Sequence, residues 1–129
     1  MSERLITGIG GIFFKARDAK ALAAWYRDHL GMPIEEWGGS LLFWKHDPDM
    51  ANALTVWTPF PDDTDHFAPS EKPFMINFRV KDLQGVLAKL KTEGVHVLPD
   101  VQEGELGKFG WVMDPEGNKV ELWQPPQGQ

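Results

Sequence analysis

Two stretches of this chain have the same form, a strand that runs straight into a helix, and that duplication limits the fold more than any other feature. From Phe74 to Asp82, the apolar residues Ile76, Phe78 and Val80 alternate with Met75, Asn77 and Arg79. Alternation with a period of two marks a half-buried strand. Asp82 then suits a helix N-cap, because its carboxylate can accept an orphan N–H of the first turn. From Gly10 to Asp18, Ile12, Phe14 and Ala16 take one face, Gly11, Phe13 and Lys15 the other, and Asp18 is the cap. The matches continue downstream. Asn52-Ala53-Leu54-Thr55-Val56-Trp57 parallels Asn118-Lys119-Val120-Glu121-Leu122-Trp123, and Trp44 parallels Trp111, each three residues before an Asp-Pro. A generic core does not require tryptophans at repeat-equivalent positions.

Each half is therefore expected to run strand, helix, three strands. In the first, a strand at 7–16 leads to a helix from Asp18 to about Leu30, ended by Gly31. Strands follow at 34–37, 41–45 and 53–58, the first two joined at Gly38-Gly39, a strong hairpin signal. The segment 59–73 contains four prolines and is neither helix nor central strand. It is a linker, either a lid or a plain solvated connection. In the second half a strand at 74–81, a helix from Asp82 to about Glu93 and a strand at 95–98 precede a loop at 100–108. A strand at 109–113, a tight turn at Asp114-Pro115-Glu116-Gly117-Asn118 and a strand at 119–123 complete it. The chain reads as one α+β domain over 1–129: module one 7–58, linker 59–73, module two 74–124.

Bulk properties exclude several function classes. With 129 residues, 42% hydrophobic and 25% charged, the chain is an ordinary globular domain. A net charge of -6 argues against nucleic acid and anionic lipid as partners. There are no cysteines, so disulfides and thiolate metal sites are excluded, which fits a cytoplasmic location. The apolar run after Arg4 holds three glycines and lacks a cleavage pattern, so no signal peptide is expected, and no stretch is long enough to span a membrane. Gly8-Ile9-Gly10-Gly11 precedes a strand and is no phosphate loop. No nucleophile triad is readable.

Three segments carry a family resemblance. They are Phe13 to Asp18, the helix end Trp25 to Met32 and, most specifically, Phe109 to Trp123 with its Asp-Pro-x-Gly-Asn turn and following Glu121-Leu122. The chain resembles the vicinal oxygen chelate superfamily, which includes glyoxalase I, extradiol dioxygenases and bleomycin-resistance proteins. The resemblance implies two βαβββ modules curling a mixed sheet into a cup with the helices outside, and it implies a homodimer. Its metal-binding members place ligands at positions that fall here on Gly11, Thr55, Met75 and Glu121. Only Glu121 is a competent ligand, and a catalytic zinc normally keeps three. The expectation is no metal and no cofactor.

What remains is a cup lined by aromatic side chains. Trp57 and Trp123 share faces with Thr55 and Glu121. Trp44 and Trp111 lie on neighbouring strands, and Phe13 could join them. Met75, Asn77 and Arg79 form the same wall, where Asn77 and Arg79 would receive the polar or anionic end of a flat ligand. Glu121 is either a general base or half of a structural ion pair with Arg79 or Lys15. His66, among Asp62, Asp63 and Asp65, reads as part of a solvated loop. Three functions fit: a metal-free small-molecule binder with a tryptophan clamp, a glyoxalase-like lyase or isomerase with Glu121 as base, and an interaction module whose cup is self-filled.

Overall fold

A computed structural model describes residues 12–126. Its elements are α1 (Ala19–Leu30), a single 3-10 turn (Trp44–His46), β1 (Ile76–Arg79), α2 (Leu83–Thr92), β2 (His96–Gly104), β3 (Gly107–Met113) and β4 (Lys119–Gln124). The fold is α+β. Four strands form one open mixed sheet in the order β1-β4-β3-β2, with β1 parallel to β4 and the other pairs antiparallel. The order strand, helix, three strands of the second half is complete. No described helix is long and apolar enough to cross a membrane.

Both helices start and stop where the residues dictate. Asp18 Oδ1 accepts from Ala21 N at 3.0 Å, and Asp82 Oδ1 from Gly85 N at 3.2 Å. Gly31 ends α1 at φ 69°, a left-handed conformation that costs glycine little. The apolar stripes of α1 and α2 pack on one face of the sheet. Leu22, Tyr26, Leu83, Leu87 and Leu90 meet Val112, Val120 and Leu122 there. At Gly110 an added Cβ would lie 2.9 Å from Leu87 Cδ1, so the missing side chain lets α2 sit against β3.

The turn at 114–118 ties α1 to the sheet. The Asp114 carboxylate, buried, accepts from Tyr26 Oη at 2.8 Å, Asn118 Nδ2 at 2.7 Å, and the amides of Glu116 and Asn118 at 2.9 Å each. Burial pushes the Tyr26 hydroxyl pKa up, helped by the neighbouring Asp114 charge and hydrogen bond. Next to it, Glu116 accepts from the backbone N–H and Nε of Arg17 and from the amide of Asp18. The Arg17 backbone N–H, then its side chain and the Asp18 amide, hold the Glu116 carboxyl below its ordinary value. A depressed folded-state pKa stabilises the fold above the unfolded value and loses that stabilisation as pH falls through the folded one. Thermal unfolding followed between pH 7 and pH 3 should show Glu116→Gln losing less stability than the parent below about pH 4.3. Parallel acid limbs would refute this assignment.

Three expectations need correction. Among the described residues, the first half forms no laddered strand. Residues 7–11 of its first expected strand lie outside the described residues, and 12–16, 41–45 and 53–58 pair with nothing. The turn at Gly38-Gly39 does form, but it carries one antiparallel bridge, Ile34 with Ser40. A two-stranded hairpin persists only where a face is buried, and Leu41, Leu42 and Phe43 are exposed. Second, 100–108 is not a loop. β2 and β3 form a continuous hairpin turning at Glu105-Leu106, with a register shift between Val97 and Val101. Pro99, which has no N–H, is accommodated because β2 is an edge strand and the ladder is interrupted there. Third, Arg79 does not pair with Glu121; it reaches Asp47.

Candidate functional site

Strand alternation assigns the second face of the sheet. Val120 and Leu122 are fully buried toward the helices, so Lys119, Glu121 and Trp123 point the other way. The register brings Asn77 beside Glu121 and Arg79 beside Trp123 from β1, and Trp111 and Phe109 opposite the same pair from β3. Among the described residues no helix covers this face. Part of the linker, 59–73, lies on it.

A cavity of about 1110 Å³ separates the linker and the 54–58 segment from the sheet. It gathers most of the residues expected at a ligand site. Phe13, Thr55 and Trp57 contribute from one side, and Met75, Asn77, Arg79 and Trp123 from the other. Trp123 is nearly buried. Its ring lies parallel to Phe109 with centroids 6.0 Å apart, and Nε1 donates to Leu106 O at 2.7 Å, so the indole is a fixed wall. Trp57 and Phe13 are open, at 78% and 95% exposure. Trp44 does not line the cavity; it begins the 3-10 turn and is exposed. Trp111 is buried on the far side of Glu121. The structure thus gathers two of the four repeat-related tryptophans at the cavity, not all four.

Arg79 supplies the cation. Nη1 donates to Asp47 Oδ2 at 3.1 Å. Its Nε is buried and has no hydrogen-bond partner among the described residues. An unmet buried N–H on a guanidinium is costly unless an acceptor arrives.

Glu121 lies between β1, β3 and the linker. Oε1 accepts from Asn77 Nδ2 at 2.6 Å, and Oε2 from Trp111 Nε1 at 2.9 Å and from His66 Nε2 at 3.4 Å. His66, expected in a solvated acidic loop, is instead packed against the sheet. Its ring stacks on Phe60 at 5.4 Å and meets the Trp111 ring edge-on at 6.0 Å. Its carbonyl accepts from Lys119 Nζ at 2.6 Å, and that ammonium also sits 5.2 Å from the Trp111 ring centroid. Burial draws the Lys119 pKa below the ordinary lysine value, against the opposing charges of Glu121, Asp100 and Asp65. A histidine in an acidic, proline-rich linker carries no periodic signal, and its partner is 55 residues away.

The residues do not fit a divalent ion. Glu121 has both oxygens engaged by donors, Thr55 and Met75 offer weak or soft ligands, and Gly11 lies outside the described residues. Among the described residues no group of three His, Asp or Glu is placed to hold a metal.

Comparison with known proteins agrees with the fold. The sequence model of the Glyoxalase/Bleomycin resistance protein/Dioxygenase superfamily matches residues 8–122. No curated protein matches. Lactoylglutathione lyase from Agrobacterium tumefaciens superposes with a TM-score of 0.55 at 20% identity, over 94% of this chain and 96% of that one. A protein of unknown function from Agrobacterium tumefaciens str. C58 gives 0.52 at 17% identity, over 92% and 98%. The trypanothione-dependent glyoxalase I of Leishmania major is 28% identical over 39% of this chain and 34% of that one, with a TM-score of 0.32. Across several matched structures the chain spans only 34% to 55% of their length. At these identities the likeness concerns the fold.

Proposed function

The chain belongs to the Glyoxalase/Bleomycin resistance protein/Dioxygenase superfamily, and from that premise we propose that it binds a small, flat, anionic molecule between its linker and its sheet without a metal. The observation that carries this reading is the Arg79 guanidinium at the cavity wall, where among the described residues only Nη1 has a partner, Asp47. A carboxylate in the cavity would meet the guanidinium with a charge-assisted bond. The fixed Trp123 ring offers a flat apolar surface beside it, and Trp57 lies across the cavity.

The test is a panel of flat aromatic carboxylates, each paired with the neutral carboxamide of the same ring, followed by tryptophan fluorescence. Carboxylates should quench. Arg79→Met should weaken them about 10- to 100-fold, as loss of a hydrogen bond to a charged group does, while changing the carboxamides far less. Indifference to the whole panel would sink the reading, and equal losses for acids and amides would remove Arg79 from it. The competing reading, a lyase or isomerase with Glu121 as base, is disfavoured by the three donors already on that carboxylate. Glu121 is also absent from the cavity lining.

A further inference from the structure

We propose that Glu121 is a positioning residue that decides which polar atom of Asn77 the cavity offers, and that the ligand therefore carries a hydroxyl or N–H donor as well as an anion. This rests on the binding reading above. An ionised carboxylate can only accept, so the Asn77 side chain, 2.6 Å from Glu121 Oε1, must present its amide nitrogen there. Asn77 lines the cavity, and its Oδ1 has no partner among the described residues. An acceptor is what remains for a ligand. Two residues along the same strand face, roughly 6–7 Å between Cα atoms, Arg79 offers the opposite polarity, the N–H donors of a guanidinium. The wall thus asks for an acceptor at one end of a flat molecule and a donor at the other.

The orientation of Glu121 makes this testable by a near-isosteric change. Trp111 Nε1 and His66 Nε2 both donate to Oε2. In Glu121→Gln the Trp111 N–H, which can only donate, holds the amide oxygen at that position, which puts the new NH2 against Asn77. Asn77 must then turn its own oxygen toward it and its NH2 toward the cavity. The substitution reverses the polarity that the ligand meets, with little change in volume.

The experiment compares 4-hydroxybenzoate with 4-methoxybenzoate, which lacks the donor, by isothermal titration against the parent and Glu121→Gln. The parent should prefer the hydroxy acid by up to about tenfold, the scale of one net hydrogen bond. Glu121→Gln should abolish or invert that preference. Because Glu121→Gln also alters the cluster with Trp111 and His66, Asn77→Leu serves as the second variant and should abolish the preference with Glu121 intact. In the free parent protein, the Asn77 side-chain amide signal in a nitrogen–proton correlation spectrum should be displaced downfield and return in Glu121→Gln. A preference that survives both variants, or an Asn77 amide signal indifferent to Glu121→Gln, overturns the positioning role. If neither benzoate binds, the binding reading fails and takes the ligand class with it, while the amide signal still decides the role of Glu121.

Discussion

Replacing Asp114 by alanine should destabilise the protein by about 3 kcal/mol, the largest effect expected from any single polar side chain here. The carboxylate is buried and accepts four hydrogen bonds, from Tyr26 Oη, Asn118 Nδ2 and the amides of Glu116 and Asn118. Its removal strands buried donors, and an unmet buried donor costs more than the net worth of the bond it loses. Two of those donors are backbone amides of the turn, so the turn loses its internal template. The Tyr26 hydroxyl belongs to α1, so the tie between helix and sheet goes at the same time. For a domain of this size the melting temperature should fall by roughly 10–15 °C. Tyr26→Phe removes one donor together with its need for an acceptor and should cost about 1 kcal/mol. A melting temperature for Asp114→Ala within a few degrees of the parent would show that water replaces the carboxylate.

The second large effect is expected at Leu122. It is fully buried in the middle of β4, beside Phe78 of β1 and Gly110 of β3. Leu122→Ala should cost about 4 kcal/mol, the upper part of the range for such substitutions. The reason is the site's poor ability to collapse. Gly110 has no side chain to move into the void, and Leu87 is already in contact there. Urea unfolding should show a lower midpoint at an unchanged slope. A loss near 1 kcal/mol would mean that α2 relaxes into the space.

Much of this was legible in residue order, for identifiable reasons. Asp18 and Asp82 act as caps because capping needs one side chain and an amide three residues on, a local matter. Gly31 ends α1 for an equally local reason. The facing of Val120, Glu121, Leu122 and Trp123 followed from period two, once one face was known to be buried. Pro99 and the Gly104–Gly107 stretch have loop chemistry, yet the β2–β3 hairpin runs through both, because an edge strand with a register shift tolerates them. In the first half the alternation at 12–16 and 53–58 was real, but a strand is made by its partners, and those segments have none among the described residues.

Residue order alone specifies the succession strand, helix, three strands of the second half, the caps, the Asp114 turn and the residues able to face a cavity. Each rests on contacts within a few positions along the chain or on the period of a single element. Which of those residues meet depends on how the whole chain packs. That packing took Trp111 away from the cavity and gave its N–H to Glu121, sent Arg79 to Asp47, and brought His66 from the linker onto β4. These pairings join residues 10, 32 and 55 positions apart. No periodicity encodes them, because which donor reaches a carboxylate depends on how the linker lies across the sheet.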